Sequence, residues 1–234
     1  MQGQRSREIC SFLAVFVDVS LPFFLPYSIN YGIVKFGDIM SIQNYTVFDV
    51  ETANRQRESI CSIGIVRVEN NKIVFQKEYL IDPECPFCAD NIAIHGIVPS
   101  MVKNAPSFGQ LWSEIEPYFT DCILVAHGAK GMDLGALVKS QMRYNIPTQP
   151  LMYVCTLELA KKLLTRAEYP SFRLNNLCEQ LGVTLEHHHN ALDDALACQG
   201  LLDYFNHEYP QFVVPAIYEF KEKKKKVVAQ TSLF

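Results

Sequence analysis

The chain has 234 residues, 49% of them hydrophobic, with 21 Lys and Arg against 25 Asp and Glu and a formal net charge of −4. That length suits one compact domain with a tail or two and leaves little room for a second full domain. The acidic balance excludes a chain that holds nucleic acid by overall charge, so any such binding has to come from a local site where cations offset acidic groups.

In chain order, the first feature is an apolar run over residues 9–28, ICSFLAVFVDVSLPFFLPYS, preceded by Arg5 and Arg7. A signal peptide or membrane anchor reads somewhat like this; against both, Asp18 interrupts the run, Pro22 and Pro26 break a helix, and no small-residue cleavage site clearly follows. Residues 1–39 are therefore an atypical extension, or sequence upstream of a true start at Met40, and no membrane association is expected. A domain-like pattern begins at Tyr45. Tyr45–Val50 reads as a central strand, and Ile60–Val68 and Lys72–Ile81 as two more, joined by the tight-turn signal Glu69-Asn70-Asn71 into an antiparallel hairpin. A loop with Pro83 and Pro86 follows. The remaining pattern predicts a helix over Ser107–Phe119, a buried strand at Cys122–Ala126, a helix over Asp133–Tyr144 and a strand at Leu151–Thr156. Three helices close the pattern, at Leu157–Leu164, at Leu174–Leu181 (stopped by Gly182) and at Ala191–Phe205. The order βββαβαβααα predicts an α/β fold, a five-stranded sheet with a hairpin edge and helices on its faces. After Pro215 the chain turns charged, with Lys223–Lys226 in a row, and fixed structure is expected to end there. Most of the eight cysteines sit inside apolar runs, the pattern of small core residues in a reducing, cytoplasmic compartment. Cys85 and Cys88 form the only Cys-x-x-Cys and lack a second pair at zinc spacing.

Several carboxylates stand where apolar side chains belong. Asp49 and Glu51, at i and i+2 on the first central strand, face the same side. Two adjacent acids cost several kcal/mol, roughly, to bury unless compensated, and a divalent cation is the natural compensation; the competing reading is that they simply reach water at the strand end. On the last helix, Ala191, Ala195, Cys198 and Leu202 define a packed face, and Asp194 falls inside it, where an acid needs a partner. Asp193 is rotated about 100° away and is expected to face solvent or cap the helix. Of the triple His187-His188-His189, His189 has the useful offset from Asp194, and the other two are expected to be exposed bystanders. Asp133 opens its helix, where the ordinary role is a first-turn acid and the alternative is a third metal-site carboxylate.

Together these pieces resemble the DEDDh exonucleases, the family that includes the proofreading epsilon subunit of bacterial DNA polymerase III. The resemblance covers about residues 44–206. It rests on Phe48-Asp49-Val50-Glu51-Thr52-Ala53-Asn54, on Ile94-His95-Gly96-Ile97 ahead of Ala105–Phe108, and on His189-Asn190-Ala191-Leu192-Asp193-Asp194-Ala195. The middle motif departs from the family's His-Asn-Ala-x-Phe-Asp: the run His127-Gly128-Ala129-Lys130-Gly131-Met132-Asp133 lacks the Asn and the Phe and carries one inserted residue. The resemblance implies a ribonuclease H-like mixed five-stranded sheet flanked by helices, over an exonuclease domain at residues 40–210. It implies that Asp49, Glu51, Asp133 and Asp194 hold two Mg²⁺ or Mn²⁺ ions, that His189 is the general base, and that Thr52, His95 and His127 line the substrate pocket. The implied reaction is 3′→5′ hydrolysis of single-stranded DNA to nucleoside 5′-monophosphates in replication proofreading or repair. The alternatives are an exoribonuclease trimming RNA 3′ ends and a catalytically weak, nucleic-acid-binding polymerase-accessory module.

The tail at residues 211–234 ends in Gln230-Thr231-Ser232-Leu233-Phe234, which resembles the bacterial sliding-clamp-binding pentapeptide. A Leu-Phe pair at a terminus invites docking in an apolar pocket, with Gln230 supplying hydrogen bonds and Leu233 and Phe234 the buried area. A sliding clamp or a DNA polymerase is the protein partner this implies.

Overall fold

A computed structural model describes residues 33–36 and 39–220. The apolar run at 9–28, the four-lysine stretch and the clamp-like pentapeptide lie outside the described residues. The first described elements, β1 (Ile33–Phe36) and β2 (Ile39–Ile42), pair as an antiparallel hairpin ahead of the pattern that begins at Tyr45. The three expected strands follow as β3 (Tyr45–Thr52), β4 (Ile60–Glu69) and β5 (Lys72–Leu80). Asn70 and Asn71 between β4 and β5 both take positive φ, 52° and 60°, the backbone that a two-residue hairpin turn matching strand twist requires.

Two short helices, α1 (Ala89–His95) and α2 (Pro99–Val102), occupy the stretch read as a loop. Next comes α3 (Phe108–Ile115), which begins at a capping box: Ser107 Oγ accepts from the Gln110 N–H, and the Gln110 side chain accepts from the Ser107 N–H. The chain continues through β6 (Ile123–Ala126), α4 (Asp133–Arg143), β7 (Leu151–Cys155), α5 (Thr156–Leu163), α6 (Leu174–Leu181) and α7 (Ala191–Glu208) to β8 (Ala216–Tyr218).

The sheet runs β5-β4-β3-β6-β7-β8, with β3, β6 and β7 parallel and the other pairs antiparallel. The mixed α/β architecture is the expected one, but the sheet has six strands, not five. The sixth, β8, lies just past Pro215, where fixed structure was expected to end, and it pairs Tyr218 with Leu151 and Ala216 with Tyr153. Three residues are too few to show an alternating pattern, so this strand exists through its partner alone.

Alternation along β3 sorts its side chains between two cores. Tyr45 and Val47 pack with α5, α6 and α7, while Phe48 and Val50 enter the opposite core with α3 and α4. Val47 and Phe48 are fully buried, a gain of about 1.5–3 kcal/mol each. Asp49 and Glu51 therefore leave the sheet on the α7 side, at the carboxyl end of the strand. Gly64, opposite Asp49 on β4, lets α7 come close: a Cβ there would sit 2.1 Å from the Ala191 carbonyl oxygen. The first turn of α7 thus rests on bare backbone beside the two acids.

Candidate active site

A cleft of about 820 Å³ opens over the carboxyl end of β3. Asp49, Glu51, Asp133, Asp194 and His189 all line it, as do Thr52, His95 and His127. Asp49, Glu51 and Asp194 each offer a carboxylate oxygen within 4.8 Å of the others. Asp194 is 4% exposed and Asp133 3% exposed, whereas Asp49 is half-buried.

Each acid is held by a local device. Asp194 occupies the first turn of α7, and its Oδ2 accepts from the backbone N–H of His189 at 3.0 Å. Asn190 caps the same helix, accepting from the N–H groups of Leu192 and Asp193 at 3.1 and 3.0 Å. Its Nδ2 donates to Glu78 at 3.0 Å, and Glu78 in turn accepts from Ser62 at 2.7 Å, so the cap is fastened to β4 and β5. Asp133 stands first in α4. The inserted residue ahead of it is absorbed in a tight turn, with Gly131 N–H donating to the Gly128 carbonyl at 2.7 Å and Gly128 at φ 93°. The Asp133 carboxyl accordingly reaches the cleft beside Asp49 and Asp194 at the end of β3.

The electrostatics of this cluster is one-sided. Burial first, then repulsion from Asp133, Asp194 and Glu51, pushes Asp49 well above its ordinary range. Burial, then Asp194, Asp133 and Glu78, pushes Glu51 up to about 8. Burial raises Asp133 to about 7 against the opposing backbone hydrogen bonds. Such acids remain ionised near neutral pH only beside a cation. Clustered carboxylate oxygens are the donor set that Mg²⁺ and Mn²⁺ prefer, so the residues fit divalent ions.

His189 adopts φ 70°, a left-handed backbone uncommon outside glycine, and its Nδ1 lies 4.0 Å from Glu51 Oε1. Burial and the neighbouring His188 lower its pKa, against an opposing pull from Asp194, which favours the neutral imidazole a base requires. His188 is exposed, as expected, but it contacts the cluster. Its Nδ1 donates to Asp194 Oδ1 at 3.0 Å and its ring stacks on His189 at 3.9 Å between centroids, because the left-handed turn carries both side chains to one side. His187 is exposed, as expected, and pairs with Asp193 at 2.8 Å.

The other expected pocket residues are structurally committed. His127 Nε2 donates to the Phe172 carbonyl at 3.0 Å and its Nδ1 meets Thr156 Oγ1 at 2.9 Å; burial lowers its pKa to about 4, so it faces the cleft as a fixed neutral ring. His95 Nδ1 accepts from the Ile97 N–H at 3.0 Å, which leaves the Nε2 proton for the Thr52 carbonyl at 3.2 Å. Asn91 donates to the same carbonyl at 2.8 Å. Thr52 thus joins α1 to the end of β3. Lys161, Arg166 and Arg173, which the sequence did not single out, also line the cleft and answer the question of where a net-acidic chain keeps its local positive charge.

Residues 46–202 match the family model for Exonuclease, RNase_T. The chain is 34% identical over 163 residues to the PolC-type DNA polymerase III of Streptococcus thermophilus, covering 69% of this chain and 11% of that protein. With the PolC-type DNA polymerase III of Pediococcus pentosaceus it shares 30% over 156 residues, 64% of this chain and 10% of the other. The chain therefore spans about a tenth of the length of these relatives. Among solved structures it is similar to exonuclease X in complex with 5′-overhanging duplex DNA, at 25% identity and TM-score 0.54, covering 72% of this chain and 96% of that one. It also shares its fold with E. coli exonuclease I in complex with a dA16 oligonucleotide, at 15% identity and TM-score 0.64, covering 72% and 42%.

Proposed function

Because the chain belongs to the exonuclease family, as a DEDDh 3′→5′ member, we propose that it removes nucleotides one at a time from the 3′ end of single-stranded DNA. The observation that carries this reading is the convergence of Asp49, Glu51 and Asp194 within 4.8 Å of one another, with Asp133 and His189 on the same cleft. These four carboxylates would hold two Mg²⁺ or Mn²⁺ ions. When bound, such ions act as Lewis acids that polarise the phosphate, acidify a water and stabilise the departing 3′-oxygen.

The chain's own residues account for the remainder of the reaction. His189 Nδ1 or Nε2, neutral near pH 7, accepts the proton of the attacking water. The oxygen of that water becomes bonded to phosphorus, the bond to the 3′-oxygen of the penultimate nucleotide breaks, that oxygen takes a proton from solvent to become a 3′-hydroxyl, and a nucleoside 5′-monophosphate leaves. Thr52, His95 and His127 form the walls against which the terminal nucleotide is placed, their polar atoms already occupied by internal hydrogen bonds, so they orient by shape. Lys161, Arg166 and Arg173 supply phosphate contacts for the incoming strand, which offset the negative overall charge. The test is hydrolysis of 5′-labelled single-stranded DNA and RNA with Mg²⁺, Mn²⁺ or EDTA. The expected result is a ladder shortening from the 3′ end of DNA, with mononucleotide release, only when metal is present. Equal activity in EDTA would refute the metal reading, and faster loss of RNA would move the substrate to RNA.

The kinship with PolC-type polymerases supports work beside a replicative polymerase. The pentapeptide Gln230–Phe234 supports docking on a sliding clamp, through Gln230, Leu233 and Phe234. Removal of residues 230–234 should abolish co-purification with the clamp and leave hydrolysis of short oligonucleotides intact; undiminished co-purification would end the clamp assignment.

A further inference from the structure

His188 is exposed on one side but its Nδ1 lies 3.0 Å from Asp194 Oδ1, and its ring stacks on His189 at 3.9 Å and 23°. One nitrogen from each imidazole and one oxygen of Asp194 all lie within 4.8 Å of one another. The ligand group Asp49–Glu51–Asp194 beside it shares Asp194. The two groups differ in chemistry: carboxylate oxygens favour Mg²⁺ and Mn²⁺, whereas two imidazoles and one carboxylate suit a borderline ion such as Zn²⁺. Two ligand atoms on a tetrahedral Zn²⁺, at bonds near 2.0–2.2 Å, stand about 3.3–3.6 Å apart; the His188–Asp194 pair at 3.0 Å has to open by a few tenths of an ångström, and the exposed His188 ring has to turn out of its 3.9 Å stack on His189 so that both imidazoles point at one ion.

We propose that His188, His189 and Asp194 form a second cation site, selective for Zn²⁺, whose occupation takes Asp194 and His189 away from the reaction and inhibits the enzyme. Binding stands on the geometry of these three residues; inhibition rests on the function proposed above. The exposed group Glu186–His187–Asp193 is a weaker competitor, since it offers a single imidazole and no contact to Asp194.

The test is a Zn²⁺ titration of the full chain with isotopically labelled histidine, read from the His189 imidazole resonance, in parallel with Zn²⁺ inhibition of Mn²⁺-supported hydrolysis. In the unaltered chain the resonance should shift and saturate. His188→Gln should raise the Zn²⁺ concentration at half-saturation about tenfold or more, as loss of a ligand does, and should raise the half-inhibiting concentration, relative to the variant's own zinc-free rate, by the same factor. Asp49→Asn and His187→Gln should leave the half-saturation point unchanged. An unresponsive His189 resonance, or equal Zn²⁺ affinity in His188→Gln, would overturn the site. Weakening in Asp49→Asn instead would place Zn²⁺ among the carboxylates and overturn it too. Zinc saturation without loss of hydrolysis would overturn the inhibition. If no metal supports hydrolysis, the function fails, while the resonance titration still decides the zinc site.

Discussion

Asp49→Asn should make the metal-free protein more stable at pH 8 and at the same time prevent its stabilisation by Mn²⁺. Asparagine keeps the shape of the side chain and removes the charge that Asp133, Asp194 and Glu51 repel. Glu51 alone is pushed from 4.5 to about 8 and Asp133 from 3.8 to about 7, and each unit corresponds to about 1.4 kcal/mol. The groups interact, so these shifts do not add, and relief of one charge is worth about 2 kcal/mol. For a chain of this size that is roughly 4–8 °C in Tm. By linkage, a carboxyl whose folded pKa is raised costs nothing below its unfolded value, and the cost grows as pH climbs from the unfolded towards the folded value and is complete above it. The gain should therefore vanish below about pH 4 and be larger at pH 8 than at pH 5. Thermal unfolding of both proteins, with EDTA and with Mn²⁺, gives the assay. The expected pattern is a crossing, with the variant more stable in EDTA and the unaltered protein more stable in Mn²⁺. A variant that is less stable in EDTA, or one stabilised by Mn²⁺ as much as the parent, would refute the reasoning.

His189→Gln should lower turnover about a hundredfold or more, the usual worth of a positioned base, with oligonucleotide affinity unchanged; a rate near that of the parent in a single-turnover assay would remove His189 from the role. Stabilisation by Mn²⁺ should be larger at pH 8 than at pH 6, since protons must leave Glu51 (about 8) and Asp133 (about 7) before the ion binds; calorimetric titration in buffers of differing ionisation heat should show proton release on binding, and none would contradict the shifts. Gly64→Ala should destabilise by about 1–3 kcal/mol or more, by forcing the first turn of α7 off the sheet, and should weaken Mn²⁺ binding because Asp194 moves with that turn. Chemical denaturation reads the first effect, and an unchanged midpoint would show that the close approach is not required.

The parts of the site legible in the sequence are those that a local period places. Asp49 and Glu51 share a face because strand side chains alternate, and Asp194 interrupts an apolar helical stripe. From the local pattern alone Asp133 was legible as the first residue of a helix, and only the resemblance gave it a metal role; the turn at Gly128–Gly131 ahead of it depends on a glycine at positive φ. The contact of the exposed His188 with Asp194 was not legible because counting along the chain assumes a regular backbone, and the left-handed residue His189 breaks that assumption. The helix α1 escaped notice for a different reason. It buries none of its seven residues, so it has no apolar stripe to betray it, yet it carries His95 to the end of β3. Gly64 and β8 are tertiary features: the one is defined by what α7 needs above it, the other by the free edge of β7.

The central claim is that the carboxylates of Asp49, Glu51, Asp133 and Asp194 share divalent cations. Crystals of the full chain soaked in Mn²⁺ and measured at a wavelength that reveals the metal test it most directly. Anomalous peaks are expected within coordination distance of Asp49, Glu51 and Asp194, with Asp133 in contact with one of them directly or through water. Peaks elsewhere on the molecule and none among these acids would contradict it.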